Sequence, residues 1–326
     1  MGKRRRPDKF KWLSYFAVTS CVFFPIIASS RFENWCQISK RLFAVFTDTI
    51  NILRVDQDVA IKIEKANGED CNTLVKEDDI YNDLHHNGPK GELVLGIPEV
   101  FWFRTRYPLW NKKPYHILVM EHLGQDLYEL FEQHGKQFST KTVLMLAEQF
   151  LDRIEYLHER GYIHRDIKPE NFLMGLGESK DTVYLADFGL AKKNDEVYNE
   201  KAGFAGTLKY ASINTHLGIS QSRRDDMESI GYVLVLFQVG FLPWQNIKNN
   251  EKLVKMKKRT SVENLCRECH IEFHMYLNYV RSLRFDEKPD YDYLRKLFNK
   301  LYYNLGYEYD EYPEYDWKFD WTTKKS

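Results

Sequence analysis

The run YIHRDIKPENFLMG at residues 162–175, with YLADFGLA at 184–191, restricts this chain more than any other feature. It sets His, Arg, Asp, Lys and Asn at the spacing H-R-D-x-K-x-x-N, and D-F-G follows at 187–189. Five fixed residues at fixed offsets arise by chance in roughly one chain in ten thousand of this length. Any fold assigned to the chain must therefore bring two loops carrying Asp166, Lys168, Asn171 and Asp187 into one neighbourhood. The chain's 326 residues fit two domains or one bilobal unit, given a usual size of roughly 100–200 residues per domain. Hydrophobic residues at 43% and charged residues at 29% exclude a disordered chain. Basic and acidic residues balance at 47 each, so no nucleic-acid partner is expected from overall charge.

The apolar pattern changes period along the chain. In DVAIKIEK (58–65) Val59, Ile61 and Ile63 alternate with Ala60, Lys62 and Glu64, which predicts a strand with Ala60 and Lys62 on one face. YHILVME (115–121) reads as a second strand, and Gly124 marks a break where a hinge is expected. Beyond it, Val143, Leu146, Ala147, Phe150, Ile154 and Leu157 recur at helical spacing between an N-cap at Ser139 and a C-terminal cap at Gly161. Residues 226–239 are apolar nearly all round, so this helix should lie in the centre of a lobe and end at Gly240. The aromatic, acidic tail at 306–321 reads equally as terminal packing against the body or as a half-solvated end.

The H-R-D-x-K-x-x-N and D-F-G signals resemble those of protein kinases, and NFLMGLG (171–177), KYASINTHLGISQSRRDDMESIGYVL (209–234), LPWQ (242–245) and YVRSLRFDEKPDYDYLRKLF (279–298) are similar to the casein kinase 1 family. The usual APE motif is replaced by SIN at 212–214, as in that group. The resemblance implies an α+β, bilobal protein kinase fold with a small, mostly β N-lobe and a larger helical C-lobe. Its boundaries would be an atypical N-terminal extension at 1–50, the remaining N-lobe at 51–123, the C-lobe at 124–305 and the tail at 306–326. It further implies an ATP-dependent serine/threonine kinase using Mg²⁺ and acting on proteins with acidic or phosphorylated motifs. Lys168 points to Ser or Thr because tyrosine kinases usually place another residue there.

Phosphoryl transfer needs positioning and charge neutralisation more than covalent help, and each motif residue answers one of those needs. Asp166 would accept the proton of the attacking hydroxyl or orient it, and Lys168 would face the transferring phosphate. Asn171 and Asp187 offer the hard oxygen ligands that Mg²⁺ prefers. By resemblance Lys62 would reach the α and β phosphates, with Glu77 holding its head and Asp78 and Asp79 as neighbouring alternatives. Ala60 and Met120 would line the adenine pocket, and backbone groups of Glu121 and Leu123 would read the base edge. Lys209 and Lys255 are the expected substrate anion site, weighed against plain surface charge. His164 is expected to be a structural support, and Asp226 to hold the backbone around His164 and Arg165.

The resemblance weakens toward the start of the chain. A glycine-rich loop lets backbone N–H groups approach phosphates, yet no glycine occurs between Gly2 and Gly68, and the segment expected there (38–48, ISKRLFAVFTD) carries bulky Leu42, Phe43 and Phe46. Three explanations stay open: a frame error over the first fifty residues, weak ATP binding, or a kinase-fold scaffold without turnover. The activation segment (192–207) is also short, with Tyr198 as its available acceptor of a phosphate. MGKRRRPDKFK followed by an uncharged stretch at 12–30 resembles a signal peptide or short anchor, set against the favoured reading of a buried or poorly ordered extension, so membrane association is expected only through residues 12–30. Five scattered cysteines suit a reducing compartment, and CRECH (266–270) is expected to be ordinary packing rather than a haem or zinc site. The basic run KMKKRT (255–260) reads as a solvated loop, with a nucleic-acid or nuclear-import patch as its rival. A cytoplasmic or nuclear monomer is the overall expectation.

Overall fold

The computed structural model describes residues 35–38, 58–66, 72–86, 94–106, 114–307, 309–311 and 314–322. The uncharged stretch at 12–30, and all but Ile38 of the segment where a phosphate loop is expected, lie outside these residues. The chain divides into two compact units, Met1–Asn82 with Glu99–His122, and Asp83–Pro98 with Leu123–Ser326. The first holds a sheet and the second is mainly helical, the α+β arrangement in two lobes that the sequence predicts.

In the first unit, β1 (Trp35–Ile38), β2 (Val59–Lys65), β3 (Val100–Arg106) and β4 (Tyr115–Glu121) form one antiparallel sheet in the order β1-β2-β4-β3. The strand at 59–65 forms as its period-2 pattern requires. Val59 and Ile61 pack with Ile117 and Val119, and Ile63, Phe101 and Trp102 are partly buried against them. Burying such a side chain contributes about 1.5–3 kcal/mol. A slip of one residue would expose the whole set, so this burial fixes the register that pairs Ala60 with Met120 and Lys62 with Leu118. Helix α1 (Thr73–His86) turns Leu74, Glu77, Ile80 and Tyr81 inward at i, i+3, i+6 and i+7. Its first turn is tied to the sheet, because the Leu74 N–H donates to Glu64 Oε2 at 2.9 Å.

In the second unit, α2 (Leu127–Gln133) precedes the long α3 (Thr140–Glu159). Ser139 caps α3 by accepting from the Thr142 N–H, and the helix ends at Arg160 with Gly161 at φ +77°, as the sequence predicts. Two short antiparallel pairs come next, β5 (Tyr162–Ile163) with β8 (Lys192–Lys193), and between them in sequence the hairpin of β6 (Phe172–Met174) with β7 (Val183–Leu185). After α4 (Ile213–His216) comes α5 (Arg223–Val239), whose residues 225–237 are all buried. A capping box of Ser222 and Asp225 opens α5, and Gly240 closes it at φ +94°, a conformation that a side chain would strain.

The basic run at 255–260 is not a solvated loop. Asn249 accepts from the Lys252 N–H and starts helix α6 (Asn250–Arg259), which includes all of the run except Thr260. Lys257 within it is completely buried. Helices α7 (Val262–Leu265), α8 (Ile271–Ser282) and α9 (Tyr291–Asn304) complete the unit, with α8 packed on α5 and α9 on α3. Short strands β9 (Tyr309–Glu311) and β10 (Glu314–Tyr315) precede a packed end of the tail. Phe319 there is fully buried, Asp316 pairs with Lys141 at 2.5 Å, and Asp320 accepts from the N–H and hydroxyl of Ser139.

Candidate active site

In the first unit Lys62 Nζ lies 2.7 Å from Glu77 Oε2, with the Glu77 side chain fully buried. Glu77 rather than Asp78 or Asp79 is thus the partner. The strand alternation that buries Val59 and Ile61 puts Lys62 on the other face with Ala60, beside the buried Met120 of β4. Glu121 at the end of β4 donates its N–H to Glu99 O at 2.8 Å and accepts from the Glu99 N–H through its carboxylate. Leu123 belongs to the second unit and is 8% exposed.

In the second unit the catalytic-loop candidates converge. Asp166 accepts from Lys168 Nζ on Oδ2 and from the Thr207 hydroxyl on Oδ1, each at 2.6 Å, so both carboxylate oxygens are oriented. Asn171 Nδ2 donates to the Asp166 carbonyl at 2.9 Å, which turns its Oδ1 the opposite way. That oxygen is buried and has no hydrogen-bond partner. Left so, a buried amide oxygen costs about 1–3 kcal/mol, and a hard cation would remove the cost. The β6–β7 hairpin pairs Phe172 with Leu185, and the Ala186 N–H continues it by donating to Asn171 O. Asp187, the next residue, therefore lies at the same end of the hairpin as Asn171. Asn171 and Asp187 together form a donor set that fits a divalent ion.

Two residues of this region have left-handed backbones without being glycine, Arg165 at φ +69° and Asp187 at φ +66°. Such conformations cost about 1–3 kcal/mol each and persist only where neighbours enforce them. Around Arg165 the enforcing group is Asp226, which accepts the N–H groups of His164 at 2.7 Å and Arg165 at 2.8 Å. His158 Nε2 donates to the same carboxylate, and the Tyr291 hydroxyl donates to His158 Nδ1 at 2.6 Å. Burial pushes His158 below its ordinary value against the opposing pull of Asp226, and the tautomer with its proton on Nε2 satisfies both nitrogens. Burial raises Asp226, but the hydrogen bonds it accepts from His158 and from the His164 N–H outweigh it and hold the carboxylate below its usual range. His164 is fully buried between the Ala186 carbonyl and the Asp166 N–H, the structural role expected of it.

Thr207 and Gly206 belong to this constellation, although the sequence does not single out either as a site residue. Gly206 sits at φ +112°, and a Cβ there would come 2.4 Å from Arg165 O, so only glycine permits the approach. Lys209 lies over the rings of Tyr128 and Tyr210 at 5.6 and 5.1 Å. Lys255 is exposed on α6. Lys257, two positions on and so on the other side of that helix, is the residue turned inward. In the CRECH run Cys266 is buried at the end of α7, it and Cys269 are free thiols joined by a hydrogen bond, and the Cys266 carbonyl meets His274 Nε2 at 2.9 Å.

The first unit thus carries a lysine–glutamate pair on its sheet, and the second, by itself, carries an oriented aspartate beside a lysine and two oxygen donors on adjoining loops. A family model described as a protein kinase domain matches residues 53–300, about three quarters of the chain. By that match and by its two-lobed α+β fold, the chain belongs to the protein kinase domain family.

Proposed function

We propose that the chain is a serine/threonine kinase of the casein kinase 1 type, which moves the γ-phosphate of ATP to Ser or Thr in acidic or already phosphorylated proteins. The observation that carries this reading is the orientation of Asp166. Both of its oxygens are held, by Thr207 and by Lys168, and an incoming hydroxyl would meet a carboxylate already aimed. Asp166 receives or directs the proton of that hydroxyl, and Lys168 would neutralise charge on the transferring group. Asn171 Oδ1 and Asp187 would hold Mg²⁺, which neutralises phosphate charge when bound. Lys62, fixed by Glu77, would contact the α and β phosphates. Ala60 and Met120 would flank the base, and Glu121 and Leu123 would present backbone groups to its edge.

A second reading is a scaffold that keeps the fold without turnover, favoured by the lack of any glycine between Gly2 and Gly68. Transfer of label from γ-labelled ATP to an acidic, casein-like peptide separates the two. The chain should label the peptide, and Asp166→Asn should lower kcat by about 10²–10⁴-fold, the range for a lost general base. Equal signals from the two proteins would leave the scaffold reading standing.

A further inference from the structure

Lys257 has no part in the expected site, yet it is completely buried among residues that lead to Asp166. Its Nζ donates to two backbone carbonyls of the turn that closes the activation segment at Thr207, Leu208 O at 3.0 Å and Ala211 O at 2.6 Å. Its stem and ammonium group lie over Tyr232 and Trp244, with Nζ 4.9 and 5.1 Å from their ring centroids. The same turn has two other anchors. His216 Nε2 meets Leu208 O at 3.1 Å, and Trp244 Nε1 donates to Lys209 O at 2.8 Å. Inside the turn the Tyr210 and Ala211 N–H groups both donate to Thr207 O at 2.9 Å. Three of its carbonyls are therefore tied to the body of the unit, and its first residue gives its hydroxyl to Asp166 Oδ1.

We infer that Lys257 is a positioning residue for phosphoryl transfer, clamping the turn at 207–211 so that the Thr207 hydroxyl is delivered to Asp166. This rests on the kinase reading above. Burial pushes the Lys257 ammonium down to about 7, opposed by the charge of Glu228 and assisted by that of Arg281. A buried charge of this kind adds little net stability, and apolar replacements of similar shape are commonly tolerated. Stability alone therefore gives no reason for a lysine here, whereas two converging N–H donors fix a turn as no apolar side chain can.

The test uses the full chain with Lys257→Met, which keeps the stem on Tyr232 and Trp244, and Lys257→Arg, which keeps the donors. Four quantities are read: transfer from ATP to an acidic serine peptide, ATP hydrolysis to water without peptide, the melting temperature, and amide hydrogen exchange at Tyr210 and Ala211. Lys257→Met should lower kcat/KM for the peptide by about 10²-fold, the usual effect of a small misplacement of reacting groups. Its KM for ATP should stay close to that of the parent, its hydrolysis to water should fall with transfer because Asp166 serves both nucleophiles, and its melting temperature should fall only by the few degrees that the orphaned Ala211 carbonyl costs. Exchange at Tyr210 and Ala211 should quicken, and Lys257→Arg should recover part of both losses. Unchanged exchange overturns the inference, as does unchanged transfer by the folded variant. If the parent chain transfers nothing to peptide, the kinase reading fails, and the exchange measurement still decides the clamp.

Discussion

Lys62 in the smaller unit is held through one described ion pair, to Glu77 at 2.7 Å, on a sheet whose register comes from apolar burial. Asp166 in the larger unit is held by Thr207, by Lys168, and through its backbone by Asn171 and His164, while Asp226 fixes the two residues before it. The smaller unit thus places its charge on a strand set by apolar packing and against one buried carboxylate, Glu77. The larger unit surrounds its charge with side chains that grip main-chain atoms. Two left-handed, non-glycine residues occur only on the second side of this comparison among the residues of the proposed chemistry, where enough contacts exist to enforce them.

The largest expected effect comes from removing the central grip. Asp226→Ala leaves the N–H groups of His164 and Arg165 and the His158 ring without their acceptor, and should destabilise the protein by about 3–9 kcal/mol at about 1–3 kcal/mol per orphaned group. Chemical denaturation measures this, and a loss below the lower bound would break the comparison. Next, Lys62→Met leaves the fully buried Glu77 without the lysine, at a cost of about 3–5 kcal/mol. Replacing both residues by Met should recover most of that stability without recovering ATP-dependent transfer, which would show that the pair serves placement. A double variant as unstable as the single one would mean that the smaller unit, too, is held by a wider network.

The smallest effect is a pH dependence. Burial, with the nearby charge of Lys257, pushes His216 down from 6.5 to about 4. Between those values the unfolded chain takes up the proton first, so this contribution is complete above about pH 6.5 and is lost as pH falls toward 4. Because the ring is only half-buried, the stability difference between parent and His216→Asn should narrow modestly over that window. Denaturant midpoints at pH 7 and pH 4.5 would measure it, and a difference that widens in acid would reverse the assignment.

Much of this arrangement is legible in the sequence where local rules set it. Alternation places Lys62 opposite Val59 and Ile61, Ser139 announces a helix, and the all-round apolar pattern puts α5 at the centre. The spacing of 162–175 and 184–191 supplies four of the polar side chains. What escapes depends on meetings between distant segments. Thr207 reaches Asp166 across 41 positions, and no pattern within either stretch announces it. Lys257 sits in a run of cations that reads as solvated, because the run alone does not show where a helix begins. Once Asn249 starts α6, residues 255 and 257 fall on different sides, and one of them goes inside.

The tail has a consequence for synthesis. Helix α3 begins with an N-terminus whose Ser139 N–H and hydroxyl are finished by Asp320, 181 positions later, and Asp320 in turn donates its N–H to Thr142. At about 5–20 residues per second, a ribosome needs on the order of ten seconds or more to supply that carboxylate after Ser139 is made. Over that interval the start of α3 has its own serine cap and no brace, so the nascent chain passes through a stage that the finished protein never revisits.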